Sequence, residues 1–229
     1  MASIVMSARV ARSLSWGAFA VVMAIILVLA GYAGLAYTDA LRDAPILRAR
    51  ADALIAAGRG AQTLGMVRLE QLIQVEDPNF WSHNGLDSSG AGTGGITITQ
   101  TLAKPAPFDR LVPSVTRLRQ AAYAYALETR LNKFEILALF LDDTAMGQGK
   151  TGPLRGLFTA SRAVYGRAPG EVSDQQWLAL LAAINAPVPY HLAGPDDALA
   201  NRVGRIGRLI HNDCQPAGVQ DVALDGCAI

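Results

Sequence analysis

The sequence predicts a mainly α protein, a helical domain behind one N-terminal transmembrane helix. Three observations predict it. Trp16 to Tyr37 is 22 residues without a charge. Beyond it, apolar residues recur at helical spacing in one segment after another. Only Ile96–Thr99 alternates like a strand, and it is short. The chain has 229 residues, enough for one domain of about 100–200 residues with additions.

The elements follow in order. Residues 1–15 form an N-terminal segment carrying Arg9 and Arg12. The span 16–37 reaches about 33 Å as a helix, enough to cross a hydrocarbon core. A signal peptide has an apolar core of about 7–15 residues, so the length favours an uncleaved anchor. Basic residues before it, and Asp39, Arg42 and Asp43 after it, favour a cytoplasmic N-terminus. The remainder is then extracytoplasmic, periplasmic in a diderm bacterium. Residues 38–62 read as a helical neck rich in Ala, Leu and Arg, and the body follows over 63–210. Helices are expected at 66–76, 114–130, 132–142, 154–165, 174–185 and 196–210. Ser173 and Gln176 have capping-box spacing, and Pro187 is expected to stop the helix after them. Residues 211–229 form a tail. Its Cys214 and Cys227 are expected to close a small loop in an oxidising compartment, two free thiols being the alternative.

The net charge of +1 provides no global field for nucleic acid. The chemistry concentrates in "VEDPNFWSHNG", Val75 to Gly85. Leu69, Leu72 and Ile73 form a helical stripe whose next position is Glu76. Pro78 disfavours helical geometry at Asp77, so the helix should end at Glu76. A carboxylate at a helix end on an apolar face is partly desolvated, and desolvation raises its pKa towards that of a general base. The helix dipole acts in the same direction. The alternative is a solvated acidic pair, with Asp77 capping the turn. His83 alone is more often structural than catalytic, and the acid–acid–His spacing matches no metal motif.

A second stretch, "GAGTGG", formally matches G-x-G-x-x-G. No strand precedes it, so a dinucleotide site is discounted. After it comes "GGITITQTLAK", whose polar set is Thr97, Thr99, Gln100 and Lys104. Beside glycines, these suit an anionic or sugar ligand.

Together these stretches resemble glycosyltransferase family 51, the peptidoglycan glycosyltransferases of monofunctional transglycosylases and class A penicillin-binding proteins. Glu76, Asp77, Phe80, His83 and Gly85 match its first motif, E-D-x-x-F-x-x-H-x-G. Gly94, Gly95, Thr97, Ile98, Thr99, Gln100, Leu102 and Lys104 match its second. Lys133, Ile136 and Leu137, then Arg155 and Gly156, continue the order. The resemblance covers roughly residues 64–210.

The resemblance implies a lysozyme-like glycosyltransferase domain that polymerises lipid II into glycan strands, inverting the anomeric centre. It assigns the general base to Glu76, with Asp77 beside it. It implies as partners lipid II, the nascent glycan strand, membrane lipid and proteins of cell-wall synthesis. A diphosphate leaving group needs positive charge, from Lys, Arg or a divalent metal such as magnesium or manganese. No other cofactor is implied, and Lys104, Arg117, Lys133 and Arg155 are the candidate cations. The sequence departs from the family in three places. Gln120 stands at the second glutamate of the site, and Glu128 lies eight residues, about 12 Å, further along the helix. Ala138 and Asp142 replace Glu and Asn. Only eight residues, Leu86 to Thr93, separate the two motifs. The departures open an alternative, a catalytically inactive membrane protein that binds lipid II, glycan or cell-wall synthesis partners. A lysozyme-like hydrolase would need an acid for the sugar leaving group, and the motif set argues against it.

Overall fold

The computed structural model describes residues 8–87, 89, 95–103, 113–186, 188–218 and 221–228, with side chains from residue 16 onward except 113 and 114. Helix α1 runs unbroken over Ala8–Ala56. Its first part exposes Trp16, Phe19, Ile25, Ile26, Leu27 and Val28. Among the described residues it is the one helix long and apolar enough to cross a membrane.

The stretch expected as a neck is the continuation of α1, and it is packed into the body. Ala36, Ala40, Ala44 and Ala51 are buried, as is Leu54. Small side chains let α1 approach closely to two later helices, α4 (Pro113–Glu128) and α5 (Lys133–Asp143). Polar contacts fix the packing. Tyr123 Oη donates to Asp43 over 2.8 Å. Arg50 reaches both Asp142 and Asp143, and Arg59 reaches Asp142 at 2.5 Å. Two guanidiniums on one carboxylate give a physical reason for an acid at 142, where the family pattern has an amide.

A 3₁₀ turn at Ala61–Leu64 leads into α2, Met66–Glu76. The Ile96–Thr99 stretch is not a strand. It contains the start of a one-turn helix, α3, Ile98–Thr101, capped reciprocally by Thr97 and Gln100. The alternation of β-branched residues is overridden by a capping box, which satisfies two backbone donors at once. Helix α5 begins after Asn132, whose side chain accepts from Phe134 and Glu135.

An antiparallel pair, β1 (Ala145–Gly149) and β2 (Gly152–Arg155), was not expected from the sequence. It takes Leu154 out of the next helix, so α6 spans Leu157–Tyr165. Helix α7, Asp174–Ala183, opens with the expected Ser173–Gln176 box and ends short of 185. Pro187 lies outside the described residues. Helix α8, Asp197–Ile210, is capped by Asp196. Beyond it the tail is closed by a Cys214–Cys227 disulfide. The core centres on α5, buried from Glu135 to Leu141, with Trp177, Tyr123 and Phe80 among its largest fully buried side chains.

Candidate active site

Helix α2 buries Leu72, Ile73 and Val75, and the same side carries Glu76 at its last position. Asp77, with a non-helical backbone at φ −158° and ψ 78°, ends the helix there. Glu76 is 9% exposed, and its Oε1 has no hydrogen-bond partner among the described residues. Buried polar atoms are nearly always paired, so an orphan in a cleft is a position where a ligand can donate. The carboxylate lines a cavity of about 390 Å³ with Ile96, Ile98, Thr101, Gln120, Phe140, Asn185 and Val222. Burial pushes the Glu76 carboxyl up to about 8; Arg202 works against that rise and Asp77 adds to it.

The neighbouring acid has the opposite character. Asp77 is 1% exposed and fully engaged. It accepts from His83 Nε2 at 3.0 Å and from the Ile98 amide at 2.9 Å. Burial raises its pKa, and these hydrogen bonds oppose the rise. The Gly85 amide donates to His83 Nδ1, which leaves Nε2 as the protonated nitrogen facing Asp77. Gly85 itself sits at φ +82°, where a Cβ would come within 2.8 Å of the Ala124 backbone on α4. Only glycine fits that approach, which gives the last residue of the first motif its reason.

The second motif joins the same network. Thr97 donates its hydroxyl to the Gly85 carbonyl at 2.8 Å and caps α3. Gln100 returns its side-chain oxygen to the Thr97 amide. Thr99 donates to Glu128 Oε1 at 2.5 Å. Lys133 donates to both Glu128 oxygens and to the His83 carbonyl, and lies 4.4 Å over the Phe80 ring. Together these residues brace the turn after Glu76.

The structure therefore sorts the expected site residues. Glu76 and Gln120 share one cavity. His83, Thr97, Thr99, Gln100 and Lys133 are committed to protein partners in the brace beside it. Arg155 lines an adjoining cavity of about 290 Å³, which shares Thr101, Phe140 and Asn185 with the first. Its side chain is 74% exposed, 3.6 Å from Asp143. Arg117 is exposed on α4 and lines neither cavity. Lys104 lies outside the described residues. Among the described residues no group of three or more His, Cys, Asp or Glu side chains could hold a metal ion.

Sequence reasoning missed several contributors. Thr144 lines the second cavity, and its hydroxyl is the other buried side-chain atom without a partner among the described residues. Asn185 serves both cavities at a left-handed φ of 43°, docked to Ala145 by its amide and its side chain. Arg202 is 3% exposed on α8. Its signal was present, because Leu199, Ile206 and Leu209 place it on an apolar stripe just as Leu69, Leu72 and Ile73 place Glu76.

The transglycosylase family model matches residues 61–210, the stretch that contains the cleft and its brace. The chain belongs to the transglycosylase family. This is glycosyltransferase family 51, whose domain is lysozyme-like; the element order is mainly helical. Relatives include penicillin-binding protein 1B of Haemophilus influenzae, 29% identical over 148 residues, 58% of this chain and 19% of the relative. Penicillin-binding protein 1A of Aquifex aeolicus is also 29% identical over 148 residues, 58% of this chain and 20% of the relative. Penicillin-binding protein 1C of Escherichia coli is 32% identical over 137 residues, 52% of this chain and 16% of the relative. The chain thus spans about a fifth or less of the length of these relatives.

Proposed function

We propose that this protein is a peptidoglycan glycosyltransferase that polymerises lipid II into glycan strands. The observation that carries the reading is Glu76, a buried carboxylate with one unpartnered oxygen in a cleft, its pKa raised to about 8. Such a group binds a hydroxyl and accepts its proton near neutral pH. In the step, the acceptor 4-hydroxyl gives its proton to Glu76. The oxygen forms a bond to the donor anomeric carbon on the face opposite the leaving group. The carbon–oxygen bond to the lipid diphosphate breaks, and the diphosphate leaves with the electron pair. It needs no proton, but it needs positive charge, which Arg155 in the adjoining cavity is placed to supply. Asp77 does not exchange protons in this reading; it fixes the turn that holds Glu76.

The membrane arrangement suits a lipid-linked donor. An apolar groove of about 450 Å³ lies where α1 meets α4, lined by Ala33, Gly34 and Tyr37 and by Leu118, Ala121 and Tyr125. The N-terminus is cytoplasmic and the body extracytoplasmic in this reading, following Arg9 and Arg12 ahead of the span. One observation favours a second reading. Gln120 lines the cavity, and the family resemblance aligns it with the second glutamate, so a protein that retains lipid II or glycan binding without turnover is the second reading. A gel assay of purified full-length protein with labelled lipid II, with and without magnesium or manganese, separates the two. Glycan from the wild type and none from Glu76→Gln is expected. Binding without product in the wild type rejects the transferase reading.

A further inference from the structure

The tail beyond residue 210 lies outside the family match, yet it reaches the cleft. Val222 is part of the lining of the Glu76 cavity. It is held there by α8. Arg202 donates Nε to the Ala182 carbonyl at 3.0 Å and Nη1 to the Val222 carbonyl at 2.6 Å. One turn on, Arg205 grips the Ala223 carbonyl at 2.8 Å and the Asp225 carboxylate at 2.6 Å. One further turn on, Arg208 donates to the Cys227 carbonyl. Three arginines at three-residue spacing thus hold the returning chain along one side of the helix.

The loop is also tied internally. Asp221 accepts from the amides of Ala217, Asp225 and Gly226 at 2.7–2.9 Å. Leu224 is fully buried, and the disulfide joins the two ends of the loop. Gln74 of α2 donates to the Leu209 carbonyl at 3.0 Å, so the helix that ends in Glu76 is pinned to the end of α8. A surface tail would need none of this. A wall that must hold its position beside a reacting group needs all of it.

We propose that the disulfide-closed C-terminal loop sets Val222 as a fixed wall of the substrate cavity, limiting the room beside Glu76 for the acceptor sugar, with Arg202 holding Val222 in position. The acceptor part of this rests on the transferase reading above; the wall itself does not. Arg202 is a positioning residue, acting through its grip on Val222 and through its charge near Glu76. Valine at this place excludes bulk without offering a hydrogen bond, so the loop selects by size.

The test uses full-length protein in detergent carrying Glu76→Cys, whose new thiol is labelled with iodoacetamide while the bonded cysteines stay silent. Adding Val222→Trp should slow labelling at least tenfold. Adding Val222→Ala, or Cys214→Ser with Cys227→Ser, should speed it several-fold. Thermal melting checks folding, and the alanine and serine variants carry the test if the tryptophan variant does not fold. Rates within twofold of the parent in all folded variants overturn the wall. For Arg202, the Glu76 carboxyl is titrated by ¹³C NMR in otherwise native protein. Arg202→Gln should move the midpoint up and Arg202→Lys should restore it; an unmoved midpoint overturns the positioning role. Should the wall stand while the wild type makes no glycan from lipid II, it is the transferase reading that fails. If the wild type makes glycan, Val222→Trp should raise the KM for the acceptor by tenfold or more.

Discussion

Two carboxylates adjacent in the chain meet opposite fates. Asp77 is saturated, with His83 and the Ile98 amide on its oxygens, and around it Thr97, Gln100, Thr99, Glu128 and Lys133 satisfy one another. Glu76 next to it has an oxygen with no partner among the described residues, in a cleft with Gln120 and Asn185. The difference shows how a motif divides its labour. A dense network of satisfied polar groups makes a rigid turn, and the turn holds one unsatisfied group where water is scarce. Most residues of the two motifs therefore serve to hold Glu76 in place.

The largest break in this contrast is at the reactive member. Glu76→Gln keeps shape and volume but cannot accept a proton, so lipid II polymerisation should fall 100-fold or more, the scale of general-base catalysis. Wild-type turnover should rise with pH through about 8, where Glu76 ionises. A mutant as active as the wild type removes Glu76 from the mechanism.

The same substitution should stabilise the fold. The carboxyl has a folded-state pKa near 8 against 4.5 for the ordinary value. A raised folded-state pKa means that stability is fully present below 4.5 and is lost as pH rises towards 8. At neutral pH the cost is about 3 kcal/mol. Glu76→Gln should therefore match the wild type near pH 4 and melt higher at pH 8. Equal melting at both values shows that Glu76 is solvated.

The brace should respond in the reverse sense. Lys133→Met leaves Glu128 buried without its cation, its side chain being 4% exposed. A loss of about 2–3 kcal/mol is expected, lower than for a fully buried pair because Lys133 retains some contact with solvent. Denaturant unfolding measures it, and unchanged stability removes Lys133 from the brace.

The legible and illegible parts of the molecule follow physical lines. Glu76 was visible because a carboxylate interrupted an apolar stripe. Arg202 interrupts the stripe of α8 in the same way, but an arginine-rich helix conceals one buried member among exposed ones. The α2 and α7 starts were readable from periodicity and caps. The packing of α1 was not, because Ala36, Ala40, Ala44 and Ala51 are small and the segment also carries charge, so it resembled a solvated neck. The β1–β2 pair escaped notice because "AMGQGKTGPLR" has none of the β-branched alternation that marks a strand. Ile96 to Thr99 had that alternation, yet a helix starts at Ile98, and the Thr97–Gln100 capping box was the better guide. Val222 was beyond reach, since its place depends on a return path fixed by three arginines and a disulfide.

The subtlest test is at Gln120, which the family resemblance aligns with a second glutamate. Gln120 and Glu76 line one cavity, so Gln120→Glu adds a second carboxyl near the first. Two effects then compete. A like charge raises the Glu76 pKa further, so less base is ionised at neutral pH. Against that, a carboxylate accepts stronger hydrogen bonds from substrate than an amide and favours positive charge developing at the donor sugar in the transition state. The second effect acts on the transition state itself, and the first is relieved by raising pH. Gln120→Glu should therefore raise the plateau rate several-fold while moving the pH midpoint upward. A higher midpoint without a higher plateau would mean that the two side chains interact but that residue 120 takes no part in stabilising the transition state. An unmoved midpoint would mean that they do not interact at all, and that the glutamate of the family sits elsewhere in this chain.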